Sequence, residues 1–123
     1  MSKGVGSVGI RSVRAAVLRA VGRRGGLHAI EYSRTGMRAE SLAYWRSRFA
    51  GKSGAEVRAL ASSMPPVRVT LYHERGRTRV TLEDGRHRMQ AAREAGATRI
   101  AVEARIVGER SGSSGSWRGI LRI

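Results

Sequence analysis

Across a single glycine, Gly85, the hydrophobic period of this chain changes from two to helical, and that change constrains the fold most. Upstream, Val67, Val69 and Leu71 alternate with Arg68, Thr70 and Tyr72. A turn at His73-Glu-Arg-Gly76 follows, after which Thr78, Val80 and Leu82 alternate with Arg77, Arg79 and Thr81. Two half-buried runs joined by a glycine-containing turn predict a β-hairpin. Asp84-Gly85 breaks the second strand. The spacing then predicts a helix over 86–95, with Met89, Ala92 and Ala95 toward a sheet and Gly96 as its left-handed cap. Ile100, Val102, Ala104 and Ile106 supply a third alternating strand.

The first half reads as helices with one short strand. Ile10, Val13, Val17 and Val21 recur at helical spacing while Arg11, Arg14 and Arg19 lie elsewhere around the axis, predicting a basic amphipathic helix of about three turns. It is expected to pack on the domain or to lie as an arm along phosphates. Leu27-His-Ala-Ile-Glu-Tyr32 alternates well enough to predict a short strand. A helix around 39–49 carries Leu42, Trp45 and Phe49 on one stripe, with Tyr44, Trp45 and Phe49 read as core. The next begins at Ser53-Gly-Ala-Glu56, a capping box, buries Val57, Leu60, Ala61 and Met64, and stops at Pro65-Pro66. Residues 108–116 are polar and Gly/Ser-rich and are expected to be a mobile linker, with Trp117, Ile120 and Ile123 docking the tail. The expected divisions are a basic N-terminal helix or arm over 1–26, a domain over 27–107, and a linker with tail over 108–123.

Charge narrows the function. The 123 residues hold 24 Lys and Arg against 9 Asp and Glu, a formal +15, and all the basic residues except Lys3 and Lys52 are arginine. That imbalance points to a polyanionic partner, and guanidinium forks suit phosphates and stacked bases. An acidic protein partner of immunity type is the other use of such charge, and codon bias toward Arg, Ala and Gly is its bland source. No cysteine is present, which excludes disulfides, thiolate metal sites and thiol catalysis. The apolar runs are too short for a membrane span, and no secretory leader is recognised at Met1. The expected location is cytoplasmic, or the cytoplasm of a target cell for a delivered effector.

The chemistry concentrates at Leu82-Glu-Asp-Gly-Arg-His-Arg88. A strand that turns at Gly85 straight into a helix leaves free backbone N–H groups and the positive end of a helix dipole, which favour an anion. Gly85, Arg86, His87 and Arg88 form the candidate phosphate cradle, with Arg88 as the leading clamp. Asp84 is a candidate helix cap, base or Mg²⁺ ligand. His87 is a candidate for phosphate contact or proton transfer. The competing reading is a solvated helix start with structural caps.

The pattern Pro65-Pro-Val-x-Val69, Leu82-x-Asp-Gly-Arg-His-Arg-Met89, Ala91-Ala92, Gly96-Ala97, Ile100-Ala-Val102 resembles the ParB/sulfiredoxin superfamily over roughly residues 54–107. The resemblance implies a small α+β fold, a mixed β-sheet with flanking helices, and a nucleotide-phosphate pocket at that helix start. Sulfiredoxins carry their catalytic cysteine where this chain has Arg86, so that reductase activity is excluded. Partitioning ParB proteins use a Gly-Glu-Arg-Arg variant to bind CTP; Arg86 replaces the Glu, and no helix-turn-helix follows. Other members are nucleotide-dependent kinases, nucleases and bacterial effector toxins. The kinase-like members use an N-terminal carboxylate as base, which brings in Glu31, though a salt bridge is its plainer role.

The leading expectation is therefore a ParB-like nuclease, a candidate effector toxin domain, with Asp84, His87 and Glu31 as catalytic candidates and Mg²⁺ as a candidate cofactor. Arg68, Arg77 and Arg79 are the expected nucleic-acid contacts, with Tyr72 beside them on the outer side of a strand. An ATP- or CTP-binding phosphotransferase or hydrolase is the first alternative, and a non-catalytic DNA- or RNA-binding module the second. His28 and His73 lack the spacing for a shared metal site and are expected to be surface or packing residues.

Overall fold

A computed structural model describes residues 10–31, 38–108 and 114–123. Helix α1 (Ile10–Arg24) is followed by a 3-10 turn (Leu27–Ala29), helices α2 (Ala39–Phe49) and α3 (Gly54–Ser63), and strands β1 (Val67–Glu74) and β2 (Arg77–Asp84). Helix α4 (Arg86–Glu94) and strands β3 (Arg99–Gly108) and β4 (Ser114–Arg122) complete the chain. The result is an α+β fold with one four-stranded mixed sheet in the order β2-β1-β3-β4, β1 and β3 parallel and the two outer pairs antiparallel.

The hairpin closes more tightly than the sequence suggests. The strands extend to Glu74 and Arg77, leaving the two-residue turn Arg75-Gly76 with φ of 50° and 75°. Positive φ at both positions gives the local twist that matches paired strands, which is why glycine serves so well there. Near the other end, Val69 pairs with Leu82 but Arg68 pairs with Asp84, so Glu83 is the extra residue of a bulge. Helix α4 then carries the chain across β1 to β3. It ends as predicted: Gly96 (φ 100°) donates to Arg93 O and Ala97 to Ala92 O, the paired bonds of a Schellman cap.

All the strongly buried apolar strand residues lie on one face: Val67, Val69, Leu71, Val80, Leu82, Ile100, Val102, Ala104 and Ile106, joined by Leu121 and Ile123. The helices cover this face. Val13, Val17, Ala20 and Val21 bring α1 into the core, so the basic helix packs on the domain; the side chain of Ile10 lies outside the described residues. Helix α3 begins at the capping box, Glu56 N donating to Ser53 Oγ at 3.2 Å and Ser53 N to Glu56 Oε1 at 2.8 Å. Its Val57, Ala61 and Met64 are buried and Leu60 is half-buried. Helix α2 lies along α4, where Arg46 grips Glu94 with two bonds of 2.7 and 2.8 Å. No helix among the described residues is long and apolar enough to cross a membrane.

Three expectations need correction. The segment at Leu27 is a 3-10 turn rather than a strand, because Gly25 and Gly26 (φ 90° and 130°) turn the chain sharply and His28 N donates to Ile123 O; Tyr32 lies outside the described residues. The tail is a strand, not a loosely docked end: β4 pairs with the edge of β3 from Arg99↔Arg122 to Val107↔Ser114. Its alternation buries Leu121 and Ile123 and half-buries Trp117, whereas Ile120 points outward. Tyr44 is 53% exposed, edge-on to Trp45, and only Phe49 of the three aromatic residues on α2 is fully in the core. Of the linker expected over 108–116, Gly108 instead ends β3 and Ser114 to Ser116 begin β4, while residues 109–113 lie outside the described residues.

Candidate functional site

The C-terminal end of β2 delivers the chain to Gly85 with φ 101°, a left-handed conformation that places glycine at the N-cap of α4. A Cβ at this position would sit 3.0 Å from Val67 Cα, Val67 Cγ2 and Arg88 Nη2, so glycine is needed for space as well as for torsion. The cap residue has no side chain, and no side-chain cap bond is made. Asp84 therefore does not serve as the helix cap. It faces Arg88, Oδ2 to Nη2 at 3.7 Å, while remaining 47% exposed. Met89 N bonds Gly85 O, so the N–H groups ahead of it belong to the helix start without an intrahelical acceptor.

Each cationic side chain of the first turn takes a different course. Arg88, the leading clamp in the sequence, turns inward: only 12% exposed, it donates from Nη2 to Pro66 O at 2.9 Å and packs over Trp45 at 5.6 Å. Its Nε is buried without a partner. Arg86 reaches across the turn, Nη1 at 3.4 Å from both His28 O and Ile30 O. His87 Nε2 accepts the backbone N–H of Arg38 at 2.8 Å. A neutral imidazole that accepts at Nε2 carries its proton on Nδ1. Burial is the largest cause lowering the pKa of His87; the charges of Arg38 and Arg88 add to it and Asp84 opposes. His87 is therefore a neutral hydrogen-bond donor near neutrality.

The fold also brings in Glu31. Its carbonyl accepts Leu82 N at 2.8 Å, two residues ahead of Asp84, and its side chain is exposed. Arg86 fastens the same segment through Ile30 O. Asp84, Arg86 and His87 thus border one helix start, with the Glu31 backbone held beside the end of β2. They are joined by Arg38, which sequence reasoning missed because the contact is through a backbone N–H. Among the described residues no three His, Asp or Glu side chains gather as a metal site, and Asp84 faces a guanidinium.

The expected nucleic-acid contacts stand elsewhere, on the sheet face opposite the helices. Arg68 is exposed and within 3.4 Å of Glu103; Arg79 stacks over the Tyr72 ring at 4.8 Å; Arg77 is exposed at the hairpin end. Arg105 and Arg118 share this face, and the alternation of β3 was the signal that could have found Arg105. His28 is half-buried, its Nδ1 donating to Ile123 O at 2.8 Å, and His73 pairs with Thr78 Oγ1 at 3.0 Å, both structural contacts. Elsewhere, Glu94 is held down to a pKa of about 2 by its hydrogen bonds from Arg46 and Gln90. Compared with protein-family models, curated proteins and solved structures, the chain matches none.

Proposed function

We propose that the chain acts on nucleic acid as a ParB/sulfiredoxin-like nuclease, with a phosphodiester received at the start of α4. The observation that carries this reading is the gathering of Asp84, Arg86 and His87 around a helix start without a side-chain cap, with the backbone of Glu31 paired to Leu82 nearby, in a chain of formal charge +15. Backbone N–H groups of the first turn and the helix dipole favour phosphate oxygens. His87 Nδ1–H donates to the same group, and Arg86 adds charge where negative charge grows during attack. Asp84 or Glu31 accepts the proton of the attacking water as the P–O bond to the leaving oxygen breaks, and that oxygen takes up a proton from solvent.

The purified chain is incubated with single-stranded RNA, single-stranded DNA and plasmid, with Mg²⁺ and with EDTA. Cleavage that falls by about 10²-fold or more in His87→Ala and in Asp84→Asn supports the reading. Intact substrates in every arm refute it. ATP and CTP are run as competitors; protection by either moves the site to nucleotide-dependent phosphotransfer.

A second reading, a module that binds without cleaving, draws on a different observation: Arg86, His87 and Arg88 each already hold a backbone group. Here strands bind with steep salt dependence and stay intact.

A further inference from the structure

We propose that the helix-free face of the sheet is a binding surface for single-stranded nucleic acid, separate from the start of α4. This rests on the nucleic-acid reading above and adds where, and in what form, the polymer is held. The surface comprises Tyr72, Arg77 and Arg79 at the hairpin end, with Arg105 of β3 further along the same face, opposite Thr70.

The pleat creates this face. On β1 the residues Arg68, Thr70 and Tyr72 point away from the helices, as do Arg77, Arg79 and Thr81 of β2 and Glu103 and Arg105 of β3. Thr70 and Thr81, opposite each other, form its floor at 1% and 8% exposure, while Arg68, Arg77, Arg79, Arg105 and Arg118 stand exposed around them. The face is polar and strongly arginine-rich, which no packing requirement explains, since the core lies entirely on the other side.

Its charge is unevenly compensated. Toward one end, Glu103 lies 3.4 Å from Arg68 and 3.1 Å from Arg118 and offsets both. Toward the hairpin end, Arg79 stands opposite Tyr72, whereas Arg105 stands opposite Thr70 and Ser116 and lines a second depression with Arg68, Glu83 and Glu103. Tyr72, Arg75, Arg77 and Arg79 line a depression of about 540 Å³. Its chemistry is a cationic rim around a stacked Tyr72–Arg79 pair. Guanidinium and phenol planes are the surfaces on which unstacked bases settle, while arginines track the phosphates. A duplex hides its base faces and presents a convex backbone, so a flat sheet with a stacking pair fits a single strand.

Fluorescence anisotropy with a short labelled single-stranded RNA, its DNA equivalent and the matching duplex, between about 50 and 200 mM salt, tests this. Cleavage is suppressed with His87→Ala in all arms. Wild-type surface residues are expected to bind both single strands more tightly than the duplex. The triple variant Arg77→Ala/Arg79→Ala/Arg105→Ala is expected to reduce the slope of log affinity against log salt by about 2, since each phosphate contact to a single strand contributes roughly 0.7. Tyr72→Ala is expected to weaken binding about tenfold with little change in slope, and Tyr72→Phe to retain it. The charge-matched control Arg14→Ala/Arg19→Ala/Arg58→Ala, on exposed helical positions, is expected to leave most of the affinity. Thermal melts establish that each variant folds.

The proposal is overturned if the control triple loses as much as the face triple, if Tyr72→Ala binds like wild type, or if the duplex is preferred. Those outcomes leave the reading of the α4 site standing. Absence of binding to any strand sinks both, and binding to an acidic protein that competes at this face instead assigns the surface to that partner.

Discussion

Replacing Arg88 with methionine separates two roles that look the same in the sequence. A solvent-facing phosphate clamp contributes nothing to folding, whereas the structure makes Arg88 an internal brace between α4, the start of β1 and α2. The hydrogen bond from its charged Nη2 to Pro66 O is worth about 1.5–3 kcal/mol. Its position over Trp45 adds about 0.5–1 kcal/mol. The pair with Asp84, long at 3.7 Å and half-open to water, adds less than about 1 kcal/mol. Against these stands the buried Nε without a partner, a cost of about 1–3 kcal/mol that methionine removes. The net loss is about 1–2 kcal/mol. A domain of this size changes its melting temperature by about 4 °C per kcal/mol, so Arg88→Met should melt about 4–8 °C lower by calorimetry. Arg88→Ala, which also leaves a void, should fall further. A methionine variant that melts like wild type yet loses nucleic-acid binding would refute the brace and restore the clamp.

Other expectations are independent of this one. Gly85→Ala must hold a side chain at φ 101° with its Cβ 3.0 Å from Val67, and is expected to lose about 2–4 kcal/mol in urea unfolding. His87 should titrate below its usual 6.5, because burial and the nearby arginines disfavour the imidazolium. Its depressed folded-state pKa makes its contribution to stability complete above pH 6.5 and lost as pH falls through the lowered value; ¹⁵N imidazole shifts that report the Nδ1–H tautomer at pH 7 check the assignment. Glu94 should titrate near 2 by carboxyl NMR, so the contribution of the Arg46–Glu94 grip is present above about 4.5 and fades as pH falls toward 2, a dependence absent in Glu94→Gln.

The hairpin, α3 and α4 were legible because their residues answer to local rules: a two-residue alternation, a capping box at Ser53, glycines at the two ends of α4. β4 was illegible. Gly115, Gly119 and the serines around them carry little strand preference, and the open edge of β3 imposes the conformation from outside. The stretch at Leu27 failed in the opposite sense, since its alternation was real but Gly25 and Gly26 had already turned the chain. At the candidate site, the sequence identifies Asp84 to Arg88 as an ordered set. It does not reveal that Pro66 O attracts Arg88 inward, or that the backbone of Glu31 joins Leu82, because both contacts pair residues far apart along the chain.

The packing of α1 against β4 has a kinetic consequence. The valines of α1 are made well before part of the surface that shelters them, around Leu121 and Ile123. Until then the ribosome-bound chain presents a greasy helix stripe and an unzipped β3 border, and such nascent species self-associate readily. The docking of β4 is a closing event rather than a gradual accretion. It joins His28 to the carbonyl of Ile123, and chains cut short before β4 should aggregate instead of folding to a smaller domain.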